Sequence, residues 1–258
     1  MGSLKKESAE LCFVTLALGA PYRLMRLRLS EDLRRYAPGK QLVVATDLPA
    51  EFYGRENVRA FAHARVGLFS CINDKRCAIS FALENHAKTA LFLDADTRIH
   101  QALPPEVEVK APLMTVYAPN LADQMEKYLS KRDRTAVAQA AQLFGVEPRS
   151  TLFVWDNLFA VTCDSDREKV FFGTWFVLTS FFDFQGVSIT DGYCMALAAA
   201  VTGWTPLEDG LQKFEKARSH AGASECRASP LLIRALTRMT TWRRWKSFRR
   251  KTLRKLQA

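Results

Sequence analysis

Asp94 and Asp96 are the residues of this chain best placed by type and spacing to do chemistry. They close the stretch Thr89 to Ile99, TALFLDADTRI, in which Ala90, Leu91, Phe92 and Leu93 run without a polar break into Asp94-Ala95-Asp96. Such a run reads as a strand buried on both faces, so the carboxylates stand at its end, at the edge of a sheet. Two hard oxygen ligands one residue apart can share a Mg2+ or Mn2+ that also holds a diphosphate. The competing reading is a strand that ends in a polar turn, where Asp is common whatever the function.

The sequence before this stretch supplies the elements that position the pair. Leu11 to Leu18 is an apolar strand broken by Gly19, Ala20 and Pro21. Tyr22 to Tyr36, with Leu24, Leu27, Leu29 and Leu33 among arginines, is a helix closed by Pro38 and Gly39, and Gln41 to Thr46 is a second strand ending at Asp47. Strand, helix and strand in this order argue for a βαβ unit and a parallel sheet. Ligands of such sheets bind beyond the carboxyl ends of the strands, so Ala17, Asp47, Asp94 and Asp96 are expected along one edge. There Asp47 can accept hydrogen bonds from a ribose or a base edge, or serve only as a turn acid before Pro49. Ala60 to Val66 is a short strand. Asp74 to His86 is a helix with Ala78, Ile79, Ala82 and Leu83 on one face. Lys75 and Arg76 sit in its first turn, where cations oppose the helix dipole; they suit a negative ligand such as a diphosphate, or are simply solvated.

Later segments add further candidates. Val109 to Tyr117 reads as a strand, and Leu121 to Phe144 as one helix or two, ended by Gly145 and Pro148. Thr151 to Thr162, TLFVWDNLFAVT, reads as a strand interrupted by Asp156 and Asn157. Burying that pair costs free energy unless something bonds to it, whether a substrate or the fold itself. Asp166 to Phe184 is an aromatic-rich helix packed on the core. Asp191 opens a buried helix that ends at Gly203; it has a structural task as N-cap and can also face the cleft.

A chain of 258 residues with 48% hydrophobic content builds a sizeable core, which excludes a disordered chain. The net charge of +10 is local: ten of the 37 Lys and Arg lie between Arg234 and Lys255, leaving 27 against 27 acids. The organisation expected is an α/β catalytic domain over 1–230 and a basic tail over 231–258. In the tail Met239, Trp242, Trp245, Phe248, Leu253 and Leu256 share one helical side and Arg243, Arg244, Arg250, Lys251, Arg254 and Lys255 lie mostly on the other. That pattern suits an anionic membrane surface; a nucleic-acid patch or a solvated helix are the alternatives, and nucleic acid is the weaker. Six cysteines without metal-site spacing read as reduced thiols, hence a cytoplasmic protein, peripheral at the inner face of the membrane. Lys5 and Lys6 before Leu11 to Ala20 mimic a signal peptide, but the run is short and holds Thr15, so a first buried strand is expected.

Taken together, a first strand with a Thr and a small-residue loop, a second strand ending Thr-Asp, a Lys-Arg helix and then LFLDADTRI resemble the metal-dependent GT-A-fold glycosyltransferases with a DxD motif, above all the small bacterial lipopolysaccharide-type enzymes. The resemblance implies a GT-A-like, Rossmann-related, mostly parallel sheet flanked by helices. It implies Mn2+ or Mg2+ on Asp94 and Asp96 with a late His, here His220, completing the metal site. It implies a nucleotide-sugar donor, with a UDP-sugar as the leading expectation, contacted by Thr15, Ala17, Asp47, Asp94 and Lys75 or Arg76. Asp156, Asn157 and Asp191 fall to the sugar or to a glycan or lipid-linked acceptor. Two departures are visible: Asn157 is followed by Leu158 and Phe159 rather than small residues, and Asp191 by Gly192 rather than Gln. The alternatives are a haloacid-dehalogenase-type phosphatase, which wants its acid pair on the first strand, and a non-catalytic module bound to membrane or nucleic acid.

Overall fold

The sheet is built as the buried runs demand. The computed structural model describes residues 9–67, 74–94, 96–104 and 108–220. In chain order these form β1 (Ala9–Ala17), α1 (Ala20–Tyr36), β2 (Leu42–Thr46), β3 (Val58–Ala62), α2 (Lys75–Asn85), β4 (Ala87–Leu93), β5 (Thr97–Ile99) and β6 (Leu113–Thr115). There follow α3 (Leu121–Tyr128), α4 (Lys131–Leu143), β7 (Leu158–Thr162), α5 (Arg167–Gln185), α6 (Asp191–Thr202), α7 (Gln212–Lys216) and β8 (Arg218–His220). Six strands form one sheet in the order β3-β2-β1-β4-β7-β6, and β5 pairs with β8 in a separate ribbon. Neighbours from β3 to β4 are parallel, and β7 runs antiparallel to both β4 and β6. The expected α/β class, with a mostly parallel sheet flanked by helices, is the class observed.

Alternation along β1 divides the core into two layers. Cys12, Val14 and Leu16 face a layer made with α2, α5 and α6, while Phe13 and Ala17 face Leu29 and Leu33 of α1 and Phe214 of α7. α6 is buried almost all round, which is why its sequence is Ala-rich and nearly uncharged. Asn120 caps α3 by accepting from the amides of Ala122 and Asp123, and Ser130 caps α4 by accepting from Asp133. Two caps in one stretch make Leu121 to Phe144 two helices.

α1 is the expected helix, and its buried face carries Met25, Arg26, Leu29, Ser30, Asp32 and Leu33, while Leu24 is 49% exposed. Three expectations about local structure are corrected. Val109 to Tyr117 forms a strand only at Leu113–Thr115. Thr151 to Thr162 is not one strand: Phe153 and Trp155 bond back to Pro119 and Tyr117, Asp156 and Asn157 make a turn, and β7 starts at Leu158. A polar pair is cheaper in a turn than inside a strand. Asp191 is not the N-cap of α6; Thr190 holds that position and Asp191 is the first helical residue, fully buried.

The basic tail over 231–258 lies outside the described residues, as do Cys71 and Cys226. Cys12, Cys77, Cys163 and Cys194 are free thiols. No helix among the described residues is long and apolar enough to cross a membrane.

Candidate functional site

Strand direction gathers the acids. β1, β2 and β4 run parallel, with Ala17 level with Thr46 and Val14 level with Phe92, so Ala17, Asp47 and Asp94 come to one edge. The antiparallel β7 begins where β4 ends, Leu158 pairing with Leu93, and this brings the Asp156-Asn157 turn to the same edge. The Asp94 amide donates to the Asn157 carbonyl at 3.2 Å. The ribbon does the same for a third segment: Thr97 pairs with His220, which sets the imidazole beside Asp96. Lys75 opens α2 and Asp191 opens α6, so both enter from helix amino ends.

The strand end itself is tied down from below. Thr15 is fully buried and its hydroxyl donates to the Leu93 carbonyl at 2.7 Å, joining β1 to the last residue of β4. Ala17, also fully buried, brings no polar side-chain atom. The Asp94 carbonyl accepts from the Thr97 amide at 3.1 Å, which closes a turn over the acid pair, and from Arg26 Nη1 at 2.7 Å. Arg26 is fully buried, and its Nε and Nη2 find no partner among the described residues. Burial pulls its pKa down to about 9 against the pull of the Asp94 and Asp96 carboxylates, so it stays a cation at neutral pH.

Lys75 is the hub of the acids. Its Nζ lies 2.8 Å from the Asp156 carbonyl, 3.3 Å from Asp156 Oδ2 and 3.9 Å from Asp94 Oδ1, and 5.1 Å from the centre of the Phe92 ring. Burial disfavours its charge, but the carboxylates of Asp156, Asp94 and Asp191 outweigh that and raise its pKa. Asp191 sits deeper: Oδ1 accepts from Trp175 Nε1 at 3.2 Å and Oδ2 is buried without a partner among the described residues. Burial pushes its pKa well up, with Asp156 and Asp94 adding to the push and Lys75 opposing it. Gly192 lets this happen. A Cβ there would lie 2.5 Å from the Val154 carbonyl oxygen and 2.3 Å from the Phe153 ring, so only glycine brings α6 this close to the turn.

On the other side, His220 Nδ1 lies 3.0 Å from Asp96 Oδ1. Arg218 Nη1 lies 2.8 Å from His220 Nε2, and its Nη2 donates to Asn157 Oδ1 at 3.0 Å. A guanidinium only donates, so Nε2 is the acceptor and the imidazole proton sits on Nδ1, facing Asp96. That bond, ahead of the opposing effect of burial, holds the Asp96 carboxyl below its usual range. Among the described residues no group of three or more His, Cys, Asp or Glu side chains is arranged to hold a metal ion. By donor type Asp94, Asp96 and His220 suit a hard divalent ion. Here Lys75 stands 3.9 Å from Asp94 Oδ1, and Arg218 takes the Nε2 lone pair of His220.

Two expected ligand residues have partners within the chain. Asp47 accepts from the Gly19 amide at 3.2 Å and from Arg23 Nη1 at 2.8 Å, so it fixes the β1–α1 loop, with 45% of its side chain still exposed. Arg76 lies over the Phe176 ring of α5 at 4.4 Å. Sequence reasoning missed Arg26 and Arg218. Arg26 had a signal, since it shares the helical face of Leu29 and Leu33 at i+3 and i+7. Arg218 had none beyond its place before His220.

No protein-family model matches this chain, and no curated protein matches its sequence. Among solved structures, the galactosyltransferase LgtC in complex with donor and acceptor sugar analogues is similar, at 11% identity and a TM-score of 0.47, over 75% of this chain and 72% of that one.

Proposed function

We propose that this chain is a glycosyltransferase moving a sugar from a nucleotide-sugar donor, a UDP-sugar first among them, to a glycan or lipid-linked acceptor. The observation that carries this reading is the convergence of Asp94, Asp156 and Asp191 on Lys75 at the carboxyl edge of the sheet, with Asp96 and Asn157 joined beside them through His220 and Arg218. Stability alone does not favour such a cluster: buried charges rarely repay their desolvation, and the unpartnered Asp191 Oδ2 repays none of it. Departures from local consistency of this kind concentrate at working sites.

In this reading Asp94 and Asp96 would hold Mn2+ or Mg2+, and His220 would join them through Nδ1 only after Arg218 leaves Nε2 and the ring proton moves there. A divalent ion there supplies neutralisation of the negative charge that develops on a nucleoside diphosphate leaving group. Lys75 fixes the Asp94 and Asp156 carboxylates, and Arg26 fixes the backbone between β4 and β5 from beneath. Asp156 and Asn157 face sugar and acceptor hydroxyls, the fully buried Asp191 stands behind them against Lys75, and Asp47 orders the loop that the nucleotide meets. The deciding experiment is calorimetric titration of UDP, GDP, CDP and ADP with and without Mn2+. Metal-dependent binding of one of them, lost in Asp96→Ala, is the expected result. Binding by none, with the circular dichroism of the parent intact, overturns the reading.

A further inference from the structure

The outer face of α5 is anomalous for a surface helix. From Val170 to Gln185 the only charged residue is Asp183, and Asp183 is buried. Val170, Phe176, Val177 and Phe184 are 51%, 45%, 50% and 36% exposed, with Gly173 exposed between them. Positions 170, 173, 177 and 184 follow one helical stripe, about 21 Å long at ~1.5 Å per residue. Surface helices normally carry charge on this face, and a contiguous apolar patch rimmed by polar groups marks a contact surface.

The surroundings of the stripe select its occupant. Arg76 lies over Phe176 in the middle. At the carboxyl end Arg132 donates to the carbonyls of Gln185 and Gly186, and a groove of about 520 Å³ opens there, lined by Lys131, Arg132, Thr135, Gln139 and Gln185 and, among the described residues, by no carboxylate. At the amino end Lys169 is exposed, beside Asp166 and Glu84. A second copy of the chain packed on this stripe about an axis at its middle would set Arg76 against its own mate. The chain's own segment after Glu225, which holds no acid, would meet these cations with more of the same charge. An anionic lipid surface satisfies both features, taking the apolar stripe at the acyl boundary and a phosphate in the Lys131–Arg132 groove.

We propose that the outer face of α5, with the groove at its carboxyl end, rests on an anionic lipid surface. This does not depend on sugar transfer. Trp175 of the same helix bonds Asp191, so such a contact would hold the acid cluster at a fixed height above the bilayer.

The test is sedimentation of the full chain with vesicles of phosphatidylcholine alone and of phosphatidylcholine with phosphatidylglycerol. Val177→Glu with Phe184→Glu changes two exposed side chains and should leave circular dichroism unchanged while lowering partition by at least about tenfold. Lys131→Glu should weaken binding only to the phosphatidylglycerol vesicles. Partition of the double variant equal to that of the parent overturns the proposal. So does a parent that sediments as a dimer in solution and becomes a monomer on Val177→Glu, which would give the face to a second copy.

Discussion

Gly192 and Gly173 both lie inside helices, and helix propensity alone makes Ala better than Gly at each by ~1 kcal/mol. The structure predicts opposite signs. A Cβ on Gly173 meets nothing within 4 Å, so Gly173→Ala should raise stability by ~0.5–1 kcal/mol. A Cβ on Gly192 sits at 2.3 Å from Phe153 Cζ and 2.5 Å from the Val154 carbonyl oxygen, where ordinary contact begins at 3.4 Å. Relief requires a displacement of about 1 Å, and although the Phe153 ring can turn, a backbone carbonyl cannot. Overpacking of that kind costs ~1–3 kcal/mol, which exceeds the propensity gain. The net loss for Gly192→Ala should be up to about 2 kcal/mol, or a fall in Tm of as much as ~8 °C for a chain of this size. The same displacement moves Asp191 relative to the Asp156-Asn157 turn. Equilibrium urea unfolding of the parent and the two variants, with unchanged slope, measures both effects. A Gly192→Ala variant as stable as the parent would refute the argument that close approach of α6 demands a glycine.

Three further outcomes follow from the charges of the site. Lys75→Met leaves Asp156 and Asp94 without their shared cation and should cost ~1–3 kcal/mol in urea unfolding at neutral pH, since water reaches both carboxylates in part; a loss under ~1 kcal/mol would mean that water already solvates the acids. Asp191 has a raised pKa in the fold, caused first by burial, so the folded chain holds its proton more tightly than the unfolded one. Its contribution to stability therefore falls as pH rises above the ordinary value of 3.8, until the folded pKa is passed. Asp191→Asn should remove that fall, and parallel stability–pH curves for parent and variant between about pH 4 and 8 would show that the group is ionised in both states. Asp47→Ala should cost at most ~1 kcal/mol, because the Asp47 carboxylate is nearly half exposed, and a larger loss in thermal unfolding would give the β1–α1 loop more weight than its contacts warrant.

Much of the architecture was legible because its signals are local. The apolar runs of β1, β2 and β4 and the face Ala78, Ile79, Ala82 and Leu83 of α2 carry their own periods, and Asp94 follows directly from the end of such a run. What could not be read depends on direction and distance. Nothing in TLFVWDNLFAVT says that β7 runs against β4, yet that reversal is what brings Asp156 to Lys75. A three-residue strand such as β8 has no period at all, so the pairing of His220 with Asp96 was reachable only through a family resemblance. Lys75 was read as a cation turned toward a ligand; its spacing could not reveal that carboxylates of the chain itself already surround it. Asp191 was read as a cap because caps and buried first-turn acids look alike in sequence; the uncharged run GYCMALAAAV behind it was the hint that this helix end is buried.

The β5–β8 ribbon also sets a timetable. It joins residues 124 apart at Asp96 and His220, with three residues in each strand. A two-stranded piece that short does not persist alone, and closing so long a loop is repaid only after the main sheet has formed. It is anchored on the body at several points: Asp32 of α1 accepts from Arg98 and from the Ile99 amide, Arg218 donates to Asn157, and Ile99 is buried in the layer of Leu29 and Leu33. Asp94 belongs to β4 and takes its place with the sheet, whereas the imidazole beside Asp96 rides on a ribbon whose long loop closes only once that sheet is there, so the Lys75 side of the site precedes the His220 side.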